Sequence, residues 1–509
     1  MGTRMAVGST QRQPVAAPTR LRSDLIVLGN GLAARIALEE AVRRGLHPAL
    51  IGQIPTGPDR RSLVGAAGQF LTQAARVAHR RGVAPGRGAG ETAEFSSVVQ
   101  RARRLRDLAA TKDSSPPVAE GVTVFPGEAR FTSGDRLEAG GREIQFRRAI
   151  LAVSSEPIQP AISGAEATGF LTPEDLLEQT ELPARLAVLG NGPEECRWAQ
   201  TIKRFGSEVH LFGSGPGILP EEEPEAAEVV RRQLAAEGVQ MYLGCEQICL
   251  ARTGSQRAVV FEREGRKEKL FVDQILLVPT RRPNLSRLGL EAAGITVEGG
   301  HPVVGRRLQT TNRRVLAAGE VCGAEFSADN VIRTMARRCV ENATGWWLRP
   351  LDRRLVSQGV WTDPQIVRVG LNQAEAAAAE IAIDSYRVEL SELAPLAVEG
   401  RPEGFLLVHV RRATGGVVGA CVVAEEASEL VAPLVVLMSR RLPLSALGDL
   451  MICRPSRFEA MESLAKRFGR GPQPSSWSLL RESWRIWTRR MRDFARRRFG
   501  RAPSATGEA

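Results

Sequence analysis

Residues 26–36 read IVLGNGLAARI and residues 187–197 read AVLGNGPEECR, so the chain carries the same pattern of strand, glycine turn and helix twice. In the first copy Gly29, Gly31 and Ala34 have the G-x-G-x-x-G/A spacing of turns that bind the diphosphate of a dinucleotide. The glycines allow a sharp turn and a close approach of the diphosphate, and the helix that follows offers unpaired N–H groups at its N-terminus. The first copy therefore predicts a dinucleotide-binding loop.

The second copy keeps Gly190 and Gly192 but has Glu195 at the third position. A side chain there separates the helix from the strand, and its negative charge lies where a diphosphate would bind. Each copy is followed by a helix that ends in glycine and by a second apolar strand, at 48–51 and 209–212. The repeat predicts an α/β fold with two Rossmann-like dinucleotide-binding domains, of which the second has an altered loop.

Composition limits the class of protein. A chain of 509 residues is long enough for about three domains. No apolar run approaches the length of a membrane span, and seven cysteines without regular spacing indicate a reducing compartment rather than a disulfide scaffold. We expect a cytoplasmic protein, with association at the periphery of a membrane as an addition that the C-terminal segment suggests.

Eight segments together resemble the two-dinucleotide-binding flavoprotein disulfide reductases, the group of dihydrolipoamide dehydrogenase, mercuric reductase and glutathione reductase. In chain order they are DLIVLGNGLAARIA (24–37), FPGEARF (125–131), AILAVSSEP (149–157), LPARLAVLGNG (182–192), ILLVPTRRPN (275–284), LQTTNRRVLAAGEV (308–321), WTDPQIVRVGLNQAEA (361–376) and RPSRFEAMESLA (454–465). The resemblance implies an FAD domain interrupted by an inserted NAD(P) domain, then an α+β dimerisation domain that makes a homodimer.

The resemblance also implies a division of the chain. It consists of a disordered tail at 1–22, a first FAD-binding segment at 23–157, an NAD(P)-binding-like domain at 158–278, a second FAD-binding segment at 279–350, a dimerisation domain at 351–468, and a linker with a basic amphipathic helix at 469–509.

The cofactor-binding residues that the resemblance implies fall into two sets. For FAD they are Gly29, Asn30, Gly31, Leu32, Ala33, Ala34, Gln53, Gly127, Ser154, Arg281, Gly319 and Glu320; for NAD(P) they are Gly190, Gly192 and Glu195 of the altered loop. Gly52 replaces the acid expected to bind the FAD ribose, and Gln53 beside it could still form that hydrogen bond. Glu320 replaces an aspartate and offers the same carboxylate on a longer stem. No metal site is predicted.

The redox-active cysteine pair of the family is missing from its expected position. Arg61 and Ala66 stand at the two sulfur positions, Phe70 stands where the family has a lysine near the flavin, and no cysteine precedes Cys196. Disulfide chemistry needs two thiols. The sequence therefore excludes electron transfer through a cysteine pair at this position.

Other expected functional residues are replaced as well. Arg454 takes the place of the catalytic histidine, and because arginine stays protonated it cannot exchange a proton as histidine does. Glu459, the partner of that histidine, is retained. In the second domain Arg197 replaces a glutamate beside the nicotinamide, and Gly213 replaces the ribose-binding acid. No catalytic residue can be assigned from the sequence.

The segment 476–499 predicts a basic amphipathic helix. Trp477, Trp484 and Trp487 recur at helical spacing on one face of this helix, and arginines occupy many of the remaining positions. Such a helix suits an anionic membrane surface or docking on protein, and its tryptophan face argues against nucleic acid.

Two functions follow from these patterns. The first is an FAD-dependent oxidoreductase that passes electrons from NAD(P)H to an acceptor other than a disulfide, such as a quinone or oxygen. The alternative is a non-catalytic dimer that retains the fold for binding or regulation.

Overall fold

The structure is a computed structural model of the chain, and it describes residues 21–52, 60–80, 91–112, 121–158, 161–254, 256–345, 347–393 and 403–470. Residues 1–20 of the predicted N-terminal tail, Gln53 and the predicted C-terminal helix with Trp477, Trp484 and Trp487 lie outside these residues. Leu21 and Arg22, which the sequence assigned to the disordered tail, instead begin the first strand. In the described part of the chain, no helix is both long enough and apolar enough to span a membrane.

The described elements are numbered in chain order. The strands are β1 (Leu21–Leu28), β2 (Ala49–Ile51), β3 (Thr123–Phe125), β4 (Ala129–Ser133), β5 (Arg136–Ala139), β6 (Arg142–Leu151), β7 (Ser155–Pro157), β8 (Arg185–Leu189), β9 (Glu208–Phe212), β10 (Gln240–Tyr242), β11 (Glu246–Thr253), β12 (Gln256–Arg263), β13 (Arg266–Val272), β14 (Gln274–Leu277), β15 (Arg281–Pro283), β16 (Val297–Glu298), β17 (His301–Pro302), β18 (Val315–Ala317), β19 (Gln358–Val360), β20 (Gln365–Gly370), β21 (Ile383–Glu389), β22 (Phe405–Arg411) and β23 (Val417–Ala424). The α-helices are α1 (Leu32–Arg43), α2 (Arg60–Arg80), α3 (Glu91–Lys112), α4 (Ala165–Thr168), α5 (Pro173–Leu176), α6 (Pro193–Arg204), α7 (Pro224–Ala236), α8 (Asp329–Thr344), α9 (Gln373–Ala378), α10 (Ala427–Arg440) and α11 (Glu459–Arg470).

The chain folds into two compact units. Unit 1 comprises residues 1–62, 108–158 and 280–351, and unit 2 comprises residues 63–107, 159–279 and 352–509. Three of the breaks lie next to the boundaries expected from the sequence. Residues 63–107, which the sequence-based division assigns to the first FAD-binding segment, belong instead to unit 2.

Unit 1 is built on a seven-stranded sheet with the order β3-β2-β1-β6-β5-β4, in which β18 also pairs with β6. The strands β3, β2, β1, β6 and β18 run parallel, and β4 and β5 continue from β6 as an antiparallel meander. Residues 123–151 therefore contribute strands to both parts of the sheet. The apolar strand ends at 25–28 and 149–151 are buried, as expected for parallel strands covered on both faces.

Unit 2 contains the second Rossmann-like sheet, with the order β10-β9-β8-β14 and parallel pairing throughout. A three-stranded antiparallel sheet, β11-β12-β13, accompanies it. The C-terminal part is a five-stranded antiparallel sheet with the order β19-β20-β23-β22-β21, whose core includes apolar residues of α10 and α11. The predicted α/β class with two Rossmann-like sheets and a C-terminal α+β domain is confirmed.

Helices α2 and α3 join the core of unit 2. Leu71 of α2 and Phe95 of α3 are buried together with Trp198 and Phe205 of the α6 region. The rings of Phe95 and Phe205 meet edge to face, with centroids 5.3 Å apart. These apolar contacts explain why residues 63–107 belong to unit 2.

Candidate functional site

The parallel strands of unit 1 end at one edge of the sheet, and the residues predicted to bind FAD follow those ends. Gly29, after β1, donates a backbone hydrogen bond to Ile51 O at 3.4 Å. Gly52, after β2, donates to Phe125 O at 3.1 Å. In open α/β sheets ligands bind outside the carboxyl ends of the strands. This edge is therefore the candidate cofactor site of unit 1.

The first glycine loop brings backbone close together at this edge. Gly29 has φ of 134°, and a Cβ there would lie 2.2 Å from Ala152 O, so only glycine fits without displacement. A Cβ at Gly31 would lie 2.3 Å from the hydroxyl oxygen of Ser154. Gly31 is the N-cap of α1, and no side chain caps that helix. The loop thus presents bare backbone and a helix N-terminus, the two features that hold a diphosphate.

A second segment of unit 1 meets the first turn of α1. Gly319 has φ of 82°, and a Cβ there would lie 3.2 Å from the Ala33 methyl group. Glu320 follows in the 3-10 turn Gly319–Cys322 and is 9% exposed. Because a Cβ on Gly319 would contact α1, residues 319 and 320 lie at the same edge of the sheet as the first glycine loop.

The remaining predicted FAD residues that the structure describes also belong to unit 1. Arg281, in β15, donates a hydrogen bond from Nη2 to Ser155 O at 2.8 Å, next to Ser154. Gly127 has φ of 110° and lies against Gly140 in the turn between β5 and β6. Within the first loop, Leu32, Ala33 and Ala34 are buried and Asn30 is exposed.

These residues fit FAD. The loop at Gly29 and Gly31 has the backbone that a diphosphate requires, and the carboxyl group of Glu320 has the chemistry to accept hydrogen bonds from cofactor hydroxyl groups. The residues that would hold FAD are therefore the glycine loop, the first turn of α1 and the segment at Gly319 and Glu320.

The second glycine loop repeats the backbone of the first. Gly190 has φ of 121° and donates to Phe212 O at 2.8 Å, and Gly192 is the N-cap of α6. The side chain of Glu195, however, folds back over both glycines. A Cβ at Gly190 would lie 2.9 Å from Glu195 Oε1, and a Cβ at Gly192 would lie 2.8 Å from Glu195 Oε2.

The environment of Glu195 changes its acidity. Burial, with a smaller contribution from the negative charge of Glu194, raises the pKa of the carboxyl group to about 7. Hydrogen bonds from the backbone of Glu195 itself and of Gly192 favour the charged form and oppose this shift. The Glu195 carboxylate thus accepts hydrogen bonds from backbone N–H groups that the loop would otherwise offer to a ligand.

The neighbouring position for a ribose is also filled. Gly213 follows β9, and a Cβ there would lie 2.8 Å from Asn191 Cβ and 3.1 Å from Leu243 Cδ2. Asn191 donates from Nδ2 to Gly217 O at 2.6 Å, while its backbone oxygen accepts a hydrogen bond from Leu219 at 2.8 Å. The packing of Asn191 was not foreseen from the sequence, because the residue stands at a variable position of the motif. The residues present at the second loop do not fit a dinucleotide diphosphate.

Arg197 also has a role in packing. Its guanidinium group lies 4.6 Å from the centre of the Trp198 ring and pairs with Glu194, and the residue is 6% exposed. A Cβ at Gly68 of α2 would lie 3.1 Å from Arg197 Nη1. Arg197, which stands where the family has a glutamate, therefore packs against α2 from its position on α6.

The positions of the family cysteines lie on helix α2, which runs without a break from Arg60 to Arg80. Ala66 is exposed, and Phe70 lies 5.8 Å from the guanidinium carbon of Arg101. All seven cysteines of the chain are free thiols: Cys196, Cys245, Cys249, Cys322, Cys339, Cys421 and Cys453.

Arg454 and Glu459 do not form a pair. Arg454 is exposed and pairs with Glu462, whereas Glu459 begins α11 and accepts a hydrogen bond from the Ser456 backbone at 3.1 Å. Glu459 therefore caps the turn at the start of its own helix. Among the described residues, no group of three or more His, Cys, Asp or Glu side chains could hold a metal ion.

A buried ionic network in unit 2 was missed by the sequence analysis. Asp363 lies 2.6 Å from Arg76 of α2 and 2.9 Å from Arg204 of α6, and Arg204 is also 2.6 Å from Glu237. Burial opposes ionisation of Asp363, but the two arginines outweigh it and hold its pKa at about 2. The sequence offers no signal for this network, because its members come from distant segments.

Comparisons with known proteins agree with this architecture. The family model described as pyridine nucleotide-disulphide oxidoreductase matches residues 23–343, and that of the corresponding dimerisation domain matches residues 356–465. The chain is 28% identical to a mercuric reductase of Acidithiobacillus ferrooxidans, over 88% of this chain and 82% of that protein. It is 27% identical to a mercuric reductase of Streptomyces lividans, over 80% of this chain and 88% of that protein.

Solved structures share the fold. LpdA from Mycobacterium tuberculosis superposes with a TM-score of 0.75 at 23% identity, covering 87% of this chain and 99% of that one. RclA from Escherichia coli, an HOCl-induced flavoprotein disulfide reductase, superposes with a TM-score of 0.72 at 24% identity, covering 88% of this chain and 100% of that one.

Proposed function

Because this chain belongs to the pyridine nucleotide-disulphide oxidoreductase family, whose members are FAD-dependent and use NAD(P)H, we propose that it is an FAD-dependent oxidoreductase that delivers electrons to an acceptor other than a disulfide. A quinone or oxygen has suitable chemistry, since neither needs a thiol. The observation that carries this proposal is the residue change on helix α2, where Arg61 and Ala66 replace the two cysteines.

The first glycine loop supports the flavin part of the proposal. FAD, when bound, supplies the capacity to accept a hydride and to release electrons in one or two steps. Gly29 and Gly31 would hold the diphosphate, and the first turn of α1 would stabilise its charge. Glu320 would orient the cofactor through hydrogen bonds. The hydrogen bond from Arg281 to Ser155 O holds the strand next to Ser154 in place.

The electron donor is a separate question. The family uses NAD(P)H, but Glu195 and Asn191 fill the second loop of this chain. Titration of the protein with NADH and with NADPH would identify the donor.

Absorption spectroscopy tests the proposal. Purified full-length protein should show the visible bands of oxidised flavin, either as isolated or after incubation with FAD. After anaerobic photoreduction, a soluble quinone or air should reoxidise the flavin, while oxidised lipoamide and oxidised glutathione should not. Absence of bound flavin, or reoxidation by the disulfides alone, would contradict the proposal. Parallel titrations with NADH and NADPH identify the donor.

The filled second loop favours one alternative function. A chain that has lost the cysteines, the catalytic histidine and the nucleotide loop could serve as a non-catalytic dimer that binds or regulates another molecule. Flavin that binds but is reoxidised by no acceptor more rapidly than free flavin would support this alternative.

Two further proposals concern assembly. The dimerisation-domain match at 356–465 supports a homodimer, which light scattering tests. We also propose that the C-terminal segment with Trp477, Trp484 and Trp487, which the sequence predicts to be helical, associates a cytoplasmic enzyme with an anionic membrane surface or docks it on protein. Arginine charge and tryptophan at helical spacing support this proposal.

A further inference from the structure

We infer that the Glu195 carboxylate is an internal occupant of the second glycine loop, lying where such loops hold a cofactor diphosphate, and that it excludes NADH and NADPH from this loop. The inference concerns unit 2 alone and does not depend on the acceptor proposed above.

Geometry carries the inference. The bare backbone of the two glycines is what normally lets a diphosphate approach the turn. Here the space above Gly190 contains Cγ, Cδ and Oε1 of Glu195, at 2.7–2.9 Å from a Cβ placed on that glycine. The space above Gly192 contains Glu195 Oε2. A diphosphate and this side chain cannot occupy the same volume.

The first loop of the same chain provides an internal comparison. Both loops have a glycine with positive φ after the strand, a second glycine as the helix N-cap, and a backbone hydrogen bond from the first glycine to the neighbouring strand. At the third position the first loop has Ala34 and the second has Glu195. Ala34 is fully buried, and the atoms nearest to a Cβ on Gly29 or Gly31 belong to Ala152 and Ser154 rather than to Ala34. At the third position of the motif, the second loop therefore differs from the first in a side chain that reaches back to its own glycines.

Electrostatics acts in the same direction. The N-terminus of α6 carries partial positive charge, which attracts an anion. The Glu195 carboxylate uses that field and accepts hydrogen bonds from the backbone of Gly192 and of Glu195 itself. Glu194 lies in the same turn and pairs with Arg197. An incoming diphosphate would lose backbone donors that Glu195 already occupies.

The experiment compares anion binding by matched full-length variants. Glu195→Ala gives the second loop the residue of the first, and Glu195→Gly gives it the residue of the motif. Glu194→Gln is the control, because it removes the same charge from the same turn but leaves the glycines covered. Inorganic pyrophosphate and NADH are titrated calorimetrically into FAD-saturated protein, and circular dichroism checks folding.

We expect the wild type and Glu194→Gln to bind both pyrophosphate and NADH weakly. Glu195→Ala and Glu195→Gly should bind pyrophosphate at least about tenfold more tightly than the wild type. The affinities for NADH should follow the same order. Wild-type protein that binds pyrophosphate or NADH as tightly as the two Glu195 variants would overturn the inference. So would folded variants that gain affinity for neither probe. Flavin absorbance of the same samples reports on the first loop, so failure of the proposed function is distinguishable from failure here.

Discussion

Replacing Glu195 by glutamine should change how the stability of the protein depends on pH. Glutamine keeps the size of the side chain and its ability to accept hydrogen bonds, but it has no proton to lose. The variant therefore isolates the cost of ionising this carboxyl group over the glycine loop.

The magnitude follows from the pKa of Glu195. Its ordinary value is about 4.5, and burial raises it to about 7 in the folded protein. The folded state thus holds the proton more tightly than the unfolded chain. Its contribution to stability is complete below about pH 4.5 and is lost as pH rises through 7. Since one pKa unit corresponds to about 1.4 kcal/mol, the rise from about 4.5 to about 7 corresponds to a loss of about 3 kcal/mol in the free energy of unfolding.

Urea unfolding at a series of pH values measures this contribution. Near pH 5 the unfolding free energies of wild type and Glu195→Gln should be similar, and near pH 9 the variant should be more stable by about 3 kcal/mol. Glu166→Gln is the control, since Glu166 is an exposed carboxylate of the same unit. Its stability should follow the wild type across the whole range.

Parallel pH profiles for wild type and Glu195→Gln would refute the reasoning. They would mean that Glu195 ionises in the folded protein as it does in the unfolded chain, and therefore that its carboxylate extends into water and leaves the glycines uncovered.

Three further predictions test other parts of the structure. Gly29→Ala should abolish flavin retention and lower the unfolding free energy by at least about 2 kcal/mol, because the new Cβ would lie 2.2 Å from a backbone oxygen. The control is Gly45→Ala, whose new Cβ would have no atom within 4 Å; this variant should retain flavin and lower the unfolding free energy by about 1 kcal/mol. Asp363→Asn should lower the unfolding free energy in urea by about 3 kcal/mol. It should also remove the loss of stability that the wild type shows as pH falls from about 4 towards 2, since the pKa of Asp363 in the folded protein is about 2. Asp273→Asn, at a more exposed ion pair, should lower the unfolding free energy by less than about 1 kcal/mol. A chain ending at Gly471 should co-sediment less with anionic vesicles than the full-length protein, and equal co-sedimentation would contradict a membrane role for the C-terminal helix.

The elements that the sequence predicts best are those whose signal is local. The glycine turns at Gly29 and Gly190 specify a backbone that few other residues adopt, and the buried apolar strands before them indicate parallel sheets. Glu195 was also visible as an anomaly, because the motif fixes what its position should contain.

Features that depend on distant segments could not be read in this way. The apolar faces of α2 and α3 predict burial but do not indicate which core covers them, so Phe95 meeting Phe205 was not foreseen. The pairing of Asp363 with Arg204 has the same origin, since a charged residue reveals its partner only after the chain has folded.

The contact of Arg197 with Trp198 has a practical consequence. The indole ring of Trp198 is fully buried, lies three residues beyond Glu195 on α6, and has a guanidinium group 4.6 Å from its centre. The emission of a tryptophan depends on nearby charge, so a rearrangement at the start of α6 that moves this cation should alter fluorescence. The protein therefore carries its own optical reporter close to the second glycine turn.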